Sequence, residues 1–115
     1  MNRNEKVSLI ESPEIYVYDT YCMLNKAAIE LLDLTIQAPY ISLKSADGSI
    51  YIKHTSEGAI LKVLLDRYRQ CARICSPLFA RAIATTLQGR GRYRISAVCY
   101  ESDNKCYRIL PDGQL

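Results

Sequence analysis

The dipeptide Asp47-Gly48 sits between two runs of alternating side chains, Tyr40 to Ser45 and Ser49 to His54. Both central residues of a type I′ turn need positive φ, and Asp-Gly is among the few pairs that accept it at little cost. A two-residue turn of that type leaves the strands no choice of register. It predicts Leu43 opposite Ile52 and Ile41 opposite His54. Ile41, Leu43, Ile50 and Ile52 then share one face, and Tyr40, Lys44, Tyr51 and Lys53 the other. One side of this hairpin must be covered and the other is wet.

Two helices are predicted from their ends. Asn25 is placed to cap a helix running from about Lys26 to Asp33, in which Ala27, Ala28, Ile29, Leu31 and Leu32 are good helix formers or core residues. Ser76-Pro77 opens a second, because a serine N-cap followed by proline satisfies one donor and removes another. Leu78, Phe79, Ala82, Ile83 and Leu87 follow at helical spacing, with Gly89 as the expected stop. Tyr93 to Tyr100 and Lys105 to Leu110 then read as a second hairpin turning at Asp103-Asn104. Glu14 to Cys22, rich in tyrosine and β-branched residues, reads as a strand. Ala59 to Cys75 has helical spacing at Ile60, Leu61, Leu64, Leu65, Tyr68 and Ala72. Its latter part, Arg69 to Ile74, matches the strand that leads into Asn25; Ala59 to Asp66 is left open.

The order is therefore strand, capped helix and hairpin, met twice. It predicts an α+β fold of two similar strand–helix–hairpin halves, residues 14–54 and 69–110, packed as one domain over 14–110. Residues 1–13 are expected to be a flexible arm and 111–115 a tail. At 115 residues and 49% hydrophobic content there is room for one core, which must be aliphatic, since the chain has one Phe, no Trp and nine Tyr. No run approaches the roughly 18 apolar residues of a membrane helix. Met1 to Glu14 lacks the apolar centre of a signal peptide, so a cytoplasmic location is expected. The five cysteines, Cys22, Cys71, Cys75, Cys99 and Cys106, match no paired zinc pattern and are expected as reduced, mostly buried thiols.

Leu24 to Leu34, followed by a strand and Asp47-Gly48-Ser49-Ile50-Tyr51-Ile52, resembles the AbrB-type swapped-hairpin DNA-binding proteins. That family has a strand, a short capped helix and a hairpin with an Asp-Gly turn. Asp33 stands where the family has glycine. The resemblance implies transcription regulators or antitoxins whose basic face grips duplex DNA, some with two copies in one chain, and Ile74 to Leu110 would be the second copy here.

Charge points the same way. The formal net charge is +3, but residues 1–53 carry five basic and seven acidic side chains while 54–115 carry ten and five. Seven arginines and no acid lie between Arg67 and Tyr100. Arg67, Arg69, Arg73, Arg90, Arg92 and Arg94 are the candidate phosphate contacts, because a guanidinium holds phosphate oxygens in pairs. Alternation places Arg90, Arg92 and Arg94 on one face, and Tyr93 and Tyr68 are candidate rings for stacking on bases. The competing reading is a solvated strand whose arginines pair with Glu101, Asp103 or Asp112. A protein-interaction or assembly module, with a protein partner or homodimer, is the alternative function. Catalysis is not expected: His54 is the one histidine, no nucleophile motif accompanies it, and Gly89-Arg90-Gly91 fits no phosphate-binding loop. No cofactor, metal or small-molecule substrate is implied.

Overall fold

The computed structural model describes residues 11–55, 61–68, 70–100 and 103–110. In chain order these form β1 (Glu14–Val17), β2 (Cys22–Asn25), α1 (Lys26–Leu31), β3 (Tyr40–Ala46), β4 (Ser49–His54), β5 (Leu61–Lys62), β6 (Leu64–Leu65), β7 (Cys71–Ile74), α2 (Pro77–Leu87), β8 (Gly91–Tyr100) and β9 (Asp103–Leu110). The fold is mostly sheet, with two short helices, so α+β describes it only loosely.

All the pairings are antiparallel, in the order β5-β3-β4-β9-β8-β1-β2-β7-β6. The two ends of that order are neighbours in the chain. Leu61–Lys62 bonds to β3, Leu64–Leu65 bonds to β7, and between them Val63 donates its N–H to the Pro39 carbonyl at 2.7 Å. One short segment therefore bridges both margins and wraps the sheet into a nearly closed barrel, which leaves little bare edge. Inside lie Ile15, Val17, Leu24, Ile41, Ile50, Ile52, Ile74, Tyr93 and Ile109. α1 buries Ala28 and Ile29 against β1, β2 and β7, while α2 buries Phe79, Ala80 and Ile83 and packs on β1 and β4.

Local sequence explains the ends of the elements. The Asn25 side chain accepts the Ala28 N–H at 2.9 Å, and the Ser76 hydroxyl accepts the Phe79 N–H at 3.1 Å. Asp33 takes φ 56°; its N–H reaches the Glu30 carbonyl and the Leu34 N–H reaches that of Ile29. That is the Schellman closure, with Leu34 packing near Ile29. α2 ends likewise, with Gln88 at φ 61° and the Gly89 N–H on the Ala84 carbonyl. The left-handed residue is thus Gln88, one before the glycine expected to stop the helix.

Asn25 does more than cap. Its Oδ1 also accepts the Glu14 N–H at 3.0 Å, and its Nδ2 donates to the Ser12 carbonyl at 2.8 Å, tying the start of β1 to the start of α1. Asn25→Ala is expected to cost about 2 kcal/mol, near the upper end for a cap, because several bonds go together. Asn25→Asp, which keeps the acceptor, is expected to lose less. Urea midpoints of the two variants against the parent check this.

The hairpin register is as predicted, with Leu43 opposite Ile52 and Ile41 opposite His54. Elsewhere the structure corrects the reading. Glu14 to Cys22 is not one strand: the chain turns at Asp19-Thr20, where the Tyr18 N–H meets the Tyr21 carbonyl at 2.9 Å, so β1 and β2 pair with each other. Asp103 opens β9 opposite Tyr100, so Asp103-Asn104 is strand rather than turn, and residues 101–102 lie outside the described residues. The strand expected in the latter part of Ala59 to Cys75 is present as β7, and β5 and β6 occupy the described part of Ala59 to Asp66, which the sequence leaves open. Ser12 and Pro13, counted with the arm, are tied down: Pro13 accepts the Ile95 N–H at 2.9 Å. Residues 1–10 and the tail 111–115 lie outside the described residues.

All five cysteines are thiols, but only Cys22 and Cys106 are buried; Cys71 is half-buried, and Cys75 and Cys99 are exposed. Burial pushes the Cys22 thiol up to about 12, against a lesser downward pull from a backbone bond at Tyr18. Below about pH 9 the thiol is neutral in both states and folding is unaffected. As pH rises past 9 the unfolded chain ionises while the native thiol stays protonated, so stability falls until about pH 12. The loss is on the order of 1.4 kcal/mol per pH unit for one such group. Urea midpoints between pH 8 and pH 10.5 should fall for the parent and fall less for Cys22→Ala.

Candidate nucleic-acid interface

The barrel has an outer face, and the strand period decides what stands on it. Along β8, Tyr93 and Ile95 point inward and are buried, so Arg92 and Arg94 point out. The pairing carries this row across the neighbouring strands. Arg92 is opposite Tyr16, Tyr16 opposite Met23, Met23 opposite Arg73, and Arg73 opposite Leu64. Three strand spacings separate Arg92 from Arg73, about 14 Å. Arg94 stands beside Arg92, opposite Glu14, and Arg90 just precedes β8.

Arg92, Arg73 and Arg90 each have a partner on this face. The Arg92 guanidinium lies over the Tyr16 ring at 5.9 Å, with its Nε 4.0 Å from the Glu14 carboxylate. The Tyr16 hydroxyl, and then Glu14, hold its charge still more firmly than usual. Arg73 lies over the Tyr21 ring at 4.9 Å, and Tyr21 stacks on Tyr18 with centroids 4.7 Å apart. Arg90 is ion-paired with Asp19 in the β1–β2 turn. Among the described residues, Glu14 of β1 and Asp19 of the following turn are acids that meet these arginines. Both members of the Arg90–Asp19 pair are mostly exposed, so water screens it strongly.

The six candidate arginines do not all meet. Arg73, Arg92 and Arg94 share the outer face of β8, β1, β2 and β7, and Arg90 stands at its end beside the β1–β2 turn. Arg67 sits in the turn between β6 and β7 with its guanidinium 5.5 Å from the Tyr68 ring. Tyr68 itself lines a hollow of about 400 Å³ against α1, with Lys26, Glu30 and Asp33. Arg69 lies outside the described residues. Of the two rings proposed for stacking, Tyr93 is fully buried and donates its hydroxyl to the Gly89 carbonyl at 2.5 Å, so it is core and no platform.

The rings on the face are instead Tyr16, Tyr18 and Tyr21, from the half that carries the acids. The alternation Ile15-Tyr16-Val17-Tyr18 is the signal that finds them, since it sends both tyrosines to one side of a strand. Two hollows flank that hairpin. One, about 260 Å³, is lined by Tyr16, Tyr18, Met23, Gln70 and Cys71; the other, about 540 Å³, by Tyr18, Asp19, Thr20, Tyr21 and Arg90. Tyr18 is a wall of both, and 42% of it is exposed.

His54 stands at the end of β4 with its Nε2 buried and without a hydrogen-bond partner among the described residues. Near it, Lys105 bonds Asp33 at 2.9 Å and draws that carboxyl below the usual range. Among the described residues no three His, Cys, Asp or Glu side chains gather to hold a metal. No helix among them is long and apolar enough to cross a membrane. Comparison of the chain with protein-family models, curated proteins and solved structures finds no match.

Proposed function

We propose that this chain is a small cytoplasmic nucleic-acid-binding protein, regulatory in role, that holds phosphates with Arg73, Arg90, Arg92 and Arg94. One observation carries the reading: Arg92 and Arg94 on β8 and Arg73 on β7, at opposite margins of a four-strand face, stand on the same side, with Arg90 just ahead of β8, and among the described residues Glu14 lies beside Arg92 and Asp19 pairs with Arg90. Guanidinium forks aimed outward from rigid strands are suited to phosphate oxygens. The role asks for no catalytic group and no cofactor.

Fluorescence anisotropy with labelled duplex and single-stranded oligonucleotides over roughly 50–200 mM salt tests it. Released counterions make log affinity fall linearly with log salt. Binding at micromolar protein with that slope is the expected result; no binding of either oligonucleotide at low salt sinks the proposal. A protein-interaction module would then replace it. Leu78 and Val98, 72% and 75% exposed, favour that second reading.

We also propose that the barrel is built from two similar strand–helix–hairpin halves related by a two-fold rotation, and that the first half is akin to the AbrB-type unit. The pairing map supports the rotation. Exchanging β1 with β5–β6, β2 with β7, β3 with β8 and β4 with β9 returns the same set of pairs. Met23 and Arg73 are opposite one another, and so are Ile52 and Tyr107, where such an axis would pass. The closure turns at Asp33 and Gln88 match as well. A crystal structure in which the two halves fail to superpose under that rotation would rule it out.

A further inference from the structure

We infer that the ligand of this face is a single strand rather than a duplex, with bases seated along the β1–β2 hairpin and phosphates on the flanking arginines. The inference rests on the nucleic-acid reading above and narrows it.

The width of the face argues against a duplex. The major groove is about 12 Å wide and admits a helix or a two-stranded ribbon. Here three strand spacings, about 14 Å along the sheet, separate β8 from β7 before any side chain is added. The whole four-strand face is therefore wider than the ribbon that the groove admits. A duplex could only lie across the arginines, leaving the hollows and Tyr18 unused.

A single strand uses everything on the face. Its bases are free to unstack and lie on rings or guanidinium planes. Tyr18 and Tyr21 already form a stacked pair, and Arg73 and Arg92 lie over Tyr21 and Tyr16. The two hollows that share Tyr18 make a track from Gln70 and Cys71 to Arg90. The smaller, about 260 Å³, falls below the roughly 300–1,000 Å³ of small-molecule sites and suits one flat ring. Positive charge on both sides of the track, at Arg73 and at Arg90, Arg92 and Arg94, complements a backbone that passes along it.

The test uses the intact chain and three probes of equal charge: a mixed-sequence single strand, the same strand with every base removed, and a duplex. The single strand is expected to bind most tightly, and the abasic strand about ten- to a hundredfold more weakly, as one or more stacked bases would give. Tyr18→Ala should weaken single-strand binding about tenfold, Tyr18→Phe should restore it, and neither should change abasic binding. Circular dichroism of both variants checks the fold, and the abasic comparison needs no variant at all. If the abasic strand or the duplex binds as tightly as the single strand, with a salt slope, stacking is wrong while the nucleic-acid reading stands. If none of the three binds, both fall.

Discussion

A chain carrying Arg90→Ala, Arg92→Ala and Arg94→Ala together will stay folded and lose its hold on nucleic acid. None of the three side chains belongs to the core; Arg90 and Arg94 are exposed and Arg92 is partly so. What they supply is phosphate contact. Each contact removed lowers the slope of log affinity against log salt by about 0.7 for single strands and 0.9 for duplex, so the triple variant should lose about 2 from its slope. The reciprocal change sharpens the test. Asp19→Asn removes the acid that competes with phosphate for Arg90, and should tighten binding most at low salt. Anisotropy titrations of both variants, beside their thermal melts, read both effects. Unchanged affinity in the triple variant would mean that the arginine row is a solvated surface.

Tyr93→Ala will be among the most destabilising single changes in the chain, at about 3–5 kcal/mol, as for other large rings removed from a core. Tyr93 is fully buried among the inward-facing side chains, and its hydroxyl meets the Gly89 carbonyl just before β8. Tyr93→Phe keeps the ring and loses only that bond, about 1 kcal/mol. Urea unfolding of the pair separates packing from hydrogen bonding. An alanine variant as stable as the parent would return Tyr93 to the surface, where the sequence alone had placed it.

Tyr93 also shows where sequence reading stops. The Asp47-Gly48 hairpin and the two capped helices were legible because turn chemistry and caps act over two to four residues. Closure of the barrel was not. β5 and β6 have two residues each, too short for any period, and their pairing with β3 and β7 depends on a fold that is already assembled. The β1–β2 hairpin was missed because Asp19-Thr20 is a weak turn signal inside a run of tyrosines that reads as one strand. On the candidate site, the arginine alternation along β8 could be read directly. That Tyr16, Met23 and Arg73 continue the same row could not, because cross-strand neighbours are fixed by register rather than by spacing along the chain.

Nucleic acid bound on the outer face of β8, β1, β2 and β7 would leave its mark on the backbone amides there. Amide chemical-shift mapping tests it most directly, with the labelled protein titrated by a mixed-sequence single strand at low salt. The largest changes are expected to gather at residues 14–18, 21–24, 71–74 and 90–94. Changes confined to the groove between α2 and the β3–β4 hairpin, around Leu43, Ile50, Leu78 and Ala82, or no changes at saturating oligonucleotide, would contradict it.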